Sequence, residues 1–137
     1  MSPEAAFQDA LIAHLSGDPD VQAELGNPAR IHDRAPGGTR FPFAEVSRGE
    51  SDPADADGVI LLDHRLTVRM FSRRGDHDRL KAVVGAVRSA AHNANLTLAG
   101  DWTCVSCRVV YSDMFRDEAG RHYQGIVRIR ALLQHTP

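Results

Sequence analysis

The sequence predicts an α+β fold, an antiparallel four-stranded sheet with helices packed on one face, in a single domain spanning residues 1–137. Three observations lead there. Apolar residues recur at helical spacing near the start and in the middle of the chain, four other segments alternate apolar and polar residues, and turn-forming links join the strand pairs. The order α, α, β, β, α, β, β with hairpin-like links favours an antiparallel sheet covered by helices over a parallel winding.

The first helix is carried by Phe7, Ala10, Leu11, His14 and Leu15, with Ser2 as N-cap and Pro3 in the first turn. Gly17 ends it near Leu15. A second, short helix comes next, with Asp18 as N-cap, Pro19 at the first helical position, Val21 and Leu25 on its apolar side and Gly26 as terminator. Residues 27–42, rich in Asn27-Pro28, Pro36-Gly37-Gly38 and Phe41-Pro42, read as a connector that delivers a strand over Phe43 to Arg48.

Residues 49–58 carry Glu50, Asp52, Asp55 and Asp57 around Pro53 with no apolar side chain beyond alanine, so they read as an exposed, mobile acidic loop. Val59 to Phe71 is the clearest strand, with Leu62, His64, Leu66, Val68 and Met70 on one face and Asp63, Arg65, Thr67, Arg69 and Phe71 on the other. Leu80, Val83, Val84, Val87, Ala90 and Ala91 give the strongest helical pattern, opened by Asp76 as N-cap and running to about His92. A third strand spans Trp102 to Tyr111, a turn falls over Arg116 to Gly120, and the last strand runs from Tyr123 to Leu133 with Gly125, Val127, Ile129 and Ala131 on one face.

A hydrophobic share of 42% and a charged share of 25% are those of an ordinary globular domain. No apolar run suggests a membrane span, and Met1 to Ala13 lacks the pattern of a signal peptide, which predicts a cytoplasmic product. The net charge of −2 is unevenly spread: residues 1–57 hold eleven acids and four arginines, for −7, while residues 58–137 hold seven acids and twelve bases, for +5. Such asymmetry suits head-to-tail contacts between copies, and equally an ordinary solvated surface.

The motifs nominate no catalytic, cofactor or metal site. Cys104-Val-Ser-Cys107 has the spacing of a redox dithiol or half a zinc site, but no further ligand pair accompanies it, and on a regular strand the two thiols would point to opposite faces. The seven histidines are dispersed and read as surface or core-edge residues. Asp76-His77-Asp78 is explained by helix capping. Phosphate-cradling glycine motifs and a nucleophile elbow are absent.

One surface pattern stands out: Arg65 and Arg69 on one strand, Arg128 and Arg130 on another, with Arg73 and Arg74 continuing the first. Such a row is compatible with a solvated face, with carboxylates of a protein partner, or with nucleic-acid phosphates. A nucleic-acid module usually interleaves aromatics with its bases, and only Phe71 lies on this face of its strand.

Taken in order, several segments resemble the tail completion (tail terminator) family of long-tailed phages and gene transfer agents. They are Arg30-Ile31-His32-Asp33-Arg34-Ala35-Pro36, Phe41-Pro42-Phe43-Ala44-Glu45-Val46, Leu66-Thr67-Val68-Arg69-Met70-Phe71-Ser72-Arg73, the helix from Asp76 to His92 with Leu96-x-Leu98, and Tyr123 to Ala131. The resemblance implies a structural role in the virion neck, after assembly in the bacterial cytoplasm. Six copies would form a ring on the last ring of the tail tube, stop its growth and join it to the head-tail stopper, with DNA only as cargo through the lumen. No enzyme activity or cofactor is implied. The residues expected at subunit or tail-tube contacts are Asp52, Asp55, Asp57, Arg65, Arg69, Arg73, Arg74, Arg128 and Arg130. The alternatives are another neck protein, such as the stopper, and a small nucleic-acid-binding module.

Overall fold

The computed structural model describes residues 1–116 and 122–137. Helix α1 (Pro3–Ser16) begins where Ser2 Oγ accepts from the Ala5 amide, and α2 (Pro19–Leu25) begins where Asp18 accepts from the Val21 amide. Each cap satisfies an amide that has no partner within its helix, and proline comes next because its missing N–H is unneeded there. Gly26 ends α2 at φ +89°, a conformation that L side chains rarely adopt. Helix α3 (His77–Ala91) departs from expectation at its start: the Asp76 side chain makes no capping bond, and its carbonyl instead accepts from Leu80 N and Ser72 Oγ.

The sheet has five strands rather than four, in the order β1-β2-β3-β5-β4. These are β1 (Ile31–His32), β2 (Phe43–Pro53), β3 (Leu61–Arg73), β4 (Trp102–Arg116) and β5 (His122–His135). The extra strand is β1, which pairs parallel with Ala44 and Glu45 of β2, while every other pairing is antiparallel. Two residues are too few to show a period, so a tertiary hydrogen bond, Ala44 N to Arg30 O, reveals what the sequence reading took as connector. The turn expected over Arg116 to Gly120 lies outside the described residues, apart from Arg116 at the end of β4.

The acidic segment is also a correction: Gly49 to Pro53 continue β2 and pair with Leu66 to Leu62. A bulge between Ser47 and Gly49 inserts Arg48 and resets the alternation. Gly49 and Ser51 therefore sit opposite Leu66 and His64 on the helix side, while Glu50 pairs with Arg65 on the helix-free side. Strand formation here needs no apolar residues of its own, because β3 supplies both the ladder partners and the buried face.

All three helices lie on one face of the sheet. The core joins Phe7, Leu11 and Leu15 of α1, Val21 and Leu25 of α2, and Leu80, Val83, Val84 and Val87 of α3 to Val46, Leu66, Val68, Met70, Val127, Ile129 and Leu133 of the sheet. Gly125 belongs to this packing: a Cβ there would stand 2.5 Å from Val84 Cγ2, so α3 can approach β5 this closely only over a glycine. Leu96 and Leu98, between α3 and β4, are buried in the same core without forming a strand.

Candidate functional site

The helix-free face brings together the arginines that the sequence grouped. Arg65 stands opposite Arg130 and Thr67 opposite Arg128 across β3 and β5. Arg65, Arg69, Arg128 and Arg130 each have a partner within the chain. Arg65 pairs with Asp52, Arg130 makes a two-pronged contact with Asp63 (3.0 and 2.7 Å), Arg69 donates to Gln124, and Arg128 lies over the Tyr111 ring at 4.8 Å from its centroid. The Arg130 guanidinium in turn holds the Asp63 carboxyl below the usual carboxylate range, chiefly by hydrogen bonding. The row is thus partly neutralised: Arg65 and Arg130 face carboxylates, Arg69 and Arg128 neutral groups. Asp52, expected on a mobile loop, belongs to it because the bulge at Arg48 turns it onto this face.

The other predicted contact residues separate to opposite ends of the β2–β3 pair. Asp55 accepts from the Leu61 amide and shapes the hairpin tip, where Asp57 is exposed. Arg73 and Arg74 are exposed at the far end of β3. There Arg73 joins three arginines that sequence reasoning did not group with it. Arg30, Arg40, Arg73 and Arg79 line a pocket of about 270 Å³, together with Phe41, Pro42, Ser72 and Asp76. The signal was scattered over 50 positions of sequence, and only the sheet gathers it.

A second constellation was also missed. His64, expected at the surface or core edge, is fully buried, with its ring edge-on to Phe7. Its Nδ1 is 2.7 Å from Ser51 Oγ, which donates to Glu4 Oε2 at 3.3 Å. A hydroxyl has one proton, so with that proton on Glu4 the imidazole Nδ1–H donates to Ser51, and Nε2, buried without a partner among the described residues, is an unprotonated acceptor. Burial lowers the His64 pKa and keeps the ring neutral. In a hydrolytic triad the histidine stands between serine and carboxylate and draws the serine's proton. Here the serine stands in the middle, between histidine and carboxylate, so the three groups do not form that relay.

The two cysteines depart from expectation. A bulge between Cys104 and Ser106 shifts the register so that Cys104 pairs with Leu133 and Cys107 with Ala131, and both thiols take the helix side. Both are free cysteines. Desolvation raises both pKa values, and that of Cys107, which is buried, is pushed up to about 12. That is the reverse of what a nucleophilic or metal-binding thiolate needs. Among the described residues no group of three or more His, Cys, Asp and Glu side chains is gathered as a metal site requires.

Strand β4 forms one edge of the sheet. Near its middle that edge is covered, since Asn93 N donates to Cys107 O and Val109 N to His92 Nδ1. Beyond, Val110, Tyr111, Met114 and Phe115 are exposed large apolar residues on one short stretch of edge. Exposed edges of this kind are usually blunted by charge or proline, and an apolar one invites a partner.

The sequence profile of the family described as tail completion protein gp17 matches residues 9–134. A chain of the solved structure titled "Virion of native gene transfer agent (GTA) particle" superposes with a TM-score of 0.86 over 96% of both chains at 19% identity, a likeness of fold. No curated protein matches the sequence.

Proposed function

Because this chain belongs to the tail completion protein gp17 family, we propose that it closes the end of a tail tube as a ring and joins the tail to the neck of the head. The family match over residues 9–134 carries the reading, and with it the assignment as a structural tail component of a phage or gene transfer agent virion rather than an enzyme. The proposed ring has six copies. Each copy then needs one lateral contact that closes after a fixed rotation, and two different axial faces for tube and neck.

The fold offers surfaces for both. The exposed part of the β4 edge, with Tyr111, Met114 and Phe115, suits a lateral contact that buries apolar surface. The strand ends then face along the ring axis. One end of the β2–β3 pair carries Asp55 and Asp57, and the other carries Arg73 and Arg74. Strand β3 is 13 residues long, so the two ends stand roughly 40 Å apart at about 3.3 Å per residue.

Light scattering after size exclusion, with the chain alone and mixed with the major tail tube protein, tests the ring. A species of about 90 kDa, six times the 15.0 kDa chain, is expected in at least one condition. A chain that stays monomeric with the tube protein present would refute it.

A further inference from the structure

We propose that the pocket of Arg30, Arg40, Arg73 and Arg79 is a carboxylate-binding site, through which a protein with exposed acidic side chains docks end-on to the sheet. Naming that protein as the next one along the tail rests on the proposed function above. The pocket's chemistry does not.

Four arginines line about 270 Å³ from four separate stretches of the chain: the β1 approach, the β2 approach, the end of β3 and the first turns of α3. Among the described residues, the only carboxylate lining the pocket is Asp76. Arg79 is also engaged outside it, by Glu24 at 3.1 Å, and Arg30 is fixed by donating through Nε to Pro42 O at 2.9 Å. The remaining positive charge is uncompensated within the pocket lining. Arg30 registers this, since burial and the positive charges of Arg40 and Arg79 all lower its pKa. Like charges held together by the fold are relieved by an anion, and guanidinium forks match the two oxygens of a carboxylate.

Size and field select a protein carboxylate over a nucleic-acid backbone. The pocket accepts a side chain, whereas duplex DNA is held by charges spread along several phosphates. The neighbouring helix-free face interleaves its arginines with Asp52 and Asp63, and the opposite strand end presents Asp55 and Asp57.

The test uses the full chain labelled with ¹⁵N-arginine, titrated with an acetylated tetraglutamate peptide and, separately, with a 20-base-pair duplex. The peptide should shift the Arg30 and Arg79 Nε–Hε resonances saturably, with affinity falling as salt is added. R40E/R73E, both exposed and checked for fold by circular dichroism, should bind at least tenfold more weakly, while R108E, exposed on β4, should bind as the parent does. Peptide affinity unchanged in R40E/R73E, or absence of shifts at these arginines, overturns the site. Tighter binding of the duplex than of the peptide, lost in the same variant, overturns the choice of ligand and assigns phosphate. In particles, R40E/R73E should give finished tails that fail to join one axial neighbour. Failure of the tail-completion reading would look different: particles lacking the chain altogether would have tails of normal length and joining.

Discussion

Substituting Gly125 by alanine probes the close approach of α3 to β5. The added Cβ would lie 2.5 Å from Val84 Cγ2, 3.4 Å from Leu80 Cδ1 and 3.6 Å from Met70 Cε. The first distance is well inside ordinary contact, and Val84 has no freedom to yield: it is buried, β-branched and locked by the helix at χ1. Overpacking of this kind costs about 1–3 kcal/mol. Restricting the unfolded chain returns about 0.4–1 kcal/mol. The net expectation is a loss of about 1–2 kcal/mol, a fall in Tm of roughly 3–10 °C for a domain of this size. Urea unfolding and thermal melts monitored by circular dichroism measure both. The cycle with Val84→Ala isolates the cause, because removing Cγ2 removes the clash. The double variant should be more stable than the two separate losses add up to, by at least about 0.5 kcal/mol. A G125A protein as stable as the parent, or strict additivity with V84A, would refute the claim that this glycine sets the helix–sheet distance.

Four further outcomes are expected. His64 is buried neutral, so the unfolded chain takes up a proton that the folded chain resists; stability should fall as pH drops below about 6.5, and His64→Leu should remove that slope from urea titrations. A separate loss belongs at lower pH: Asp63 contributes stability above its unfolded pKa of about 3.9, and this is lost as pH falls through the depressed folded value, a loss that Arg130→Ala should abolish. With its pKa near 12 against an ordinary 9.0, Cys107 should hold roughly a thousandfold less thiolate than a free cysteine, so labelling by a disulfide reagent at pH 8 should track unfolding rather than reagent concentration. Charge reversal at Arg128 and Arg130 should break the contacts with Tyr111 and Asp63 and weaken ring and tail assembly; sedimentation of the variant as intact rings would remove that face from the interface.

Much of the fold was legible because it depends on local periods. The spacing of Phe7, Leu11 and Leu15 places one face of α1 in the core, and the alternation from Leu62 to Met70 places one face of β3 there, whatever else the chain does. Caps at Ser2 and Asp18 are equally local, since the bond closes within three residues. Asp76 shows the limit of that logic. Its side chain makes no capping bond, and its backbone carbonyl is the group that the helix start uses.

Local pattern was therefore enough for the class of fold, the order of the elements, the buried faces of α1, α3 and β3, and the family to which that order belongs. Pairing between distant segments set the rest, and no local pattern carries it. A strand of two residues exists because Ile31 and His32 meet Ala44 and Glu45. Bulges at Arg48 and beside Cys104 each reverse the facing of the residues after them, turning Asp52 toward Arg65 and bringing two thiols onto one side. His64 is buried because Ser51 and Phe7 close over it, and four arginines from residues 30 to 79 become one pocket because the sheet ends where α3 begins. Periodicity is a property of neighbours along the chain. Register and convergence are properties of the ladder, where a single inserted residue changes the face of every side chain after it.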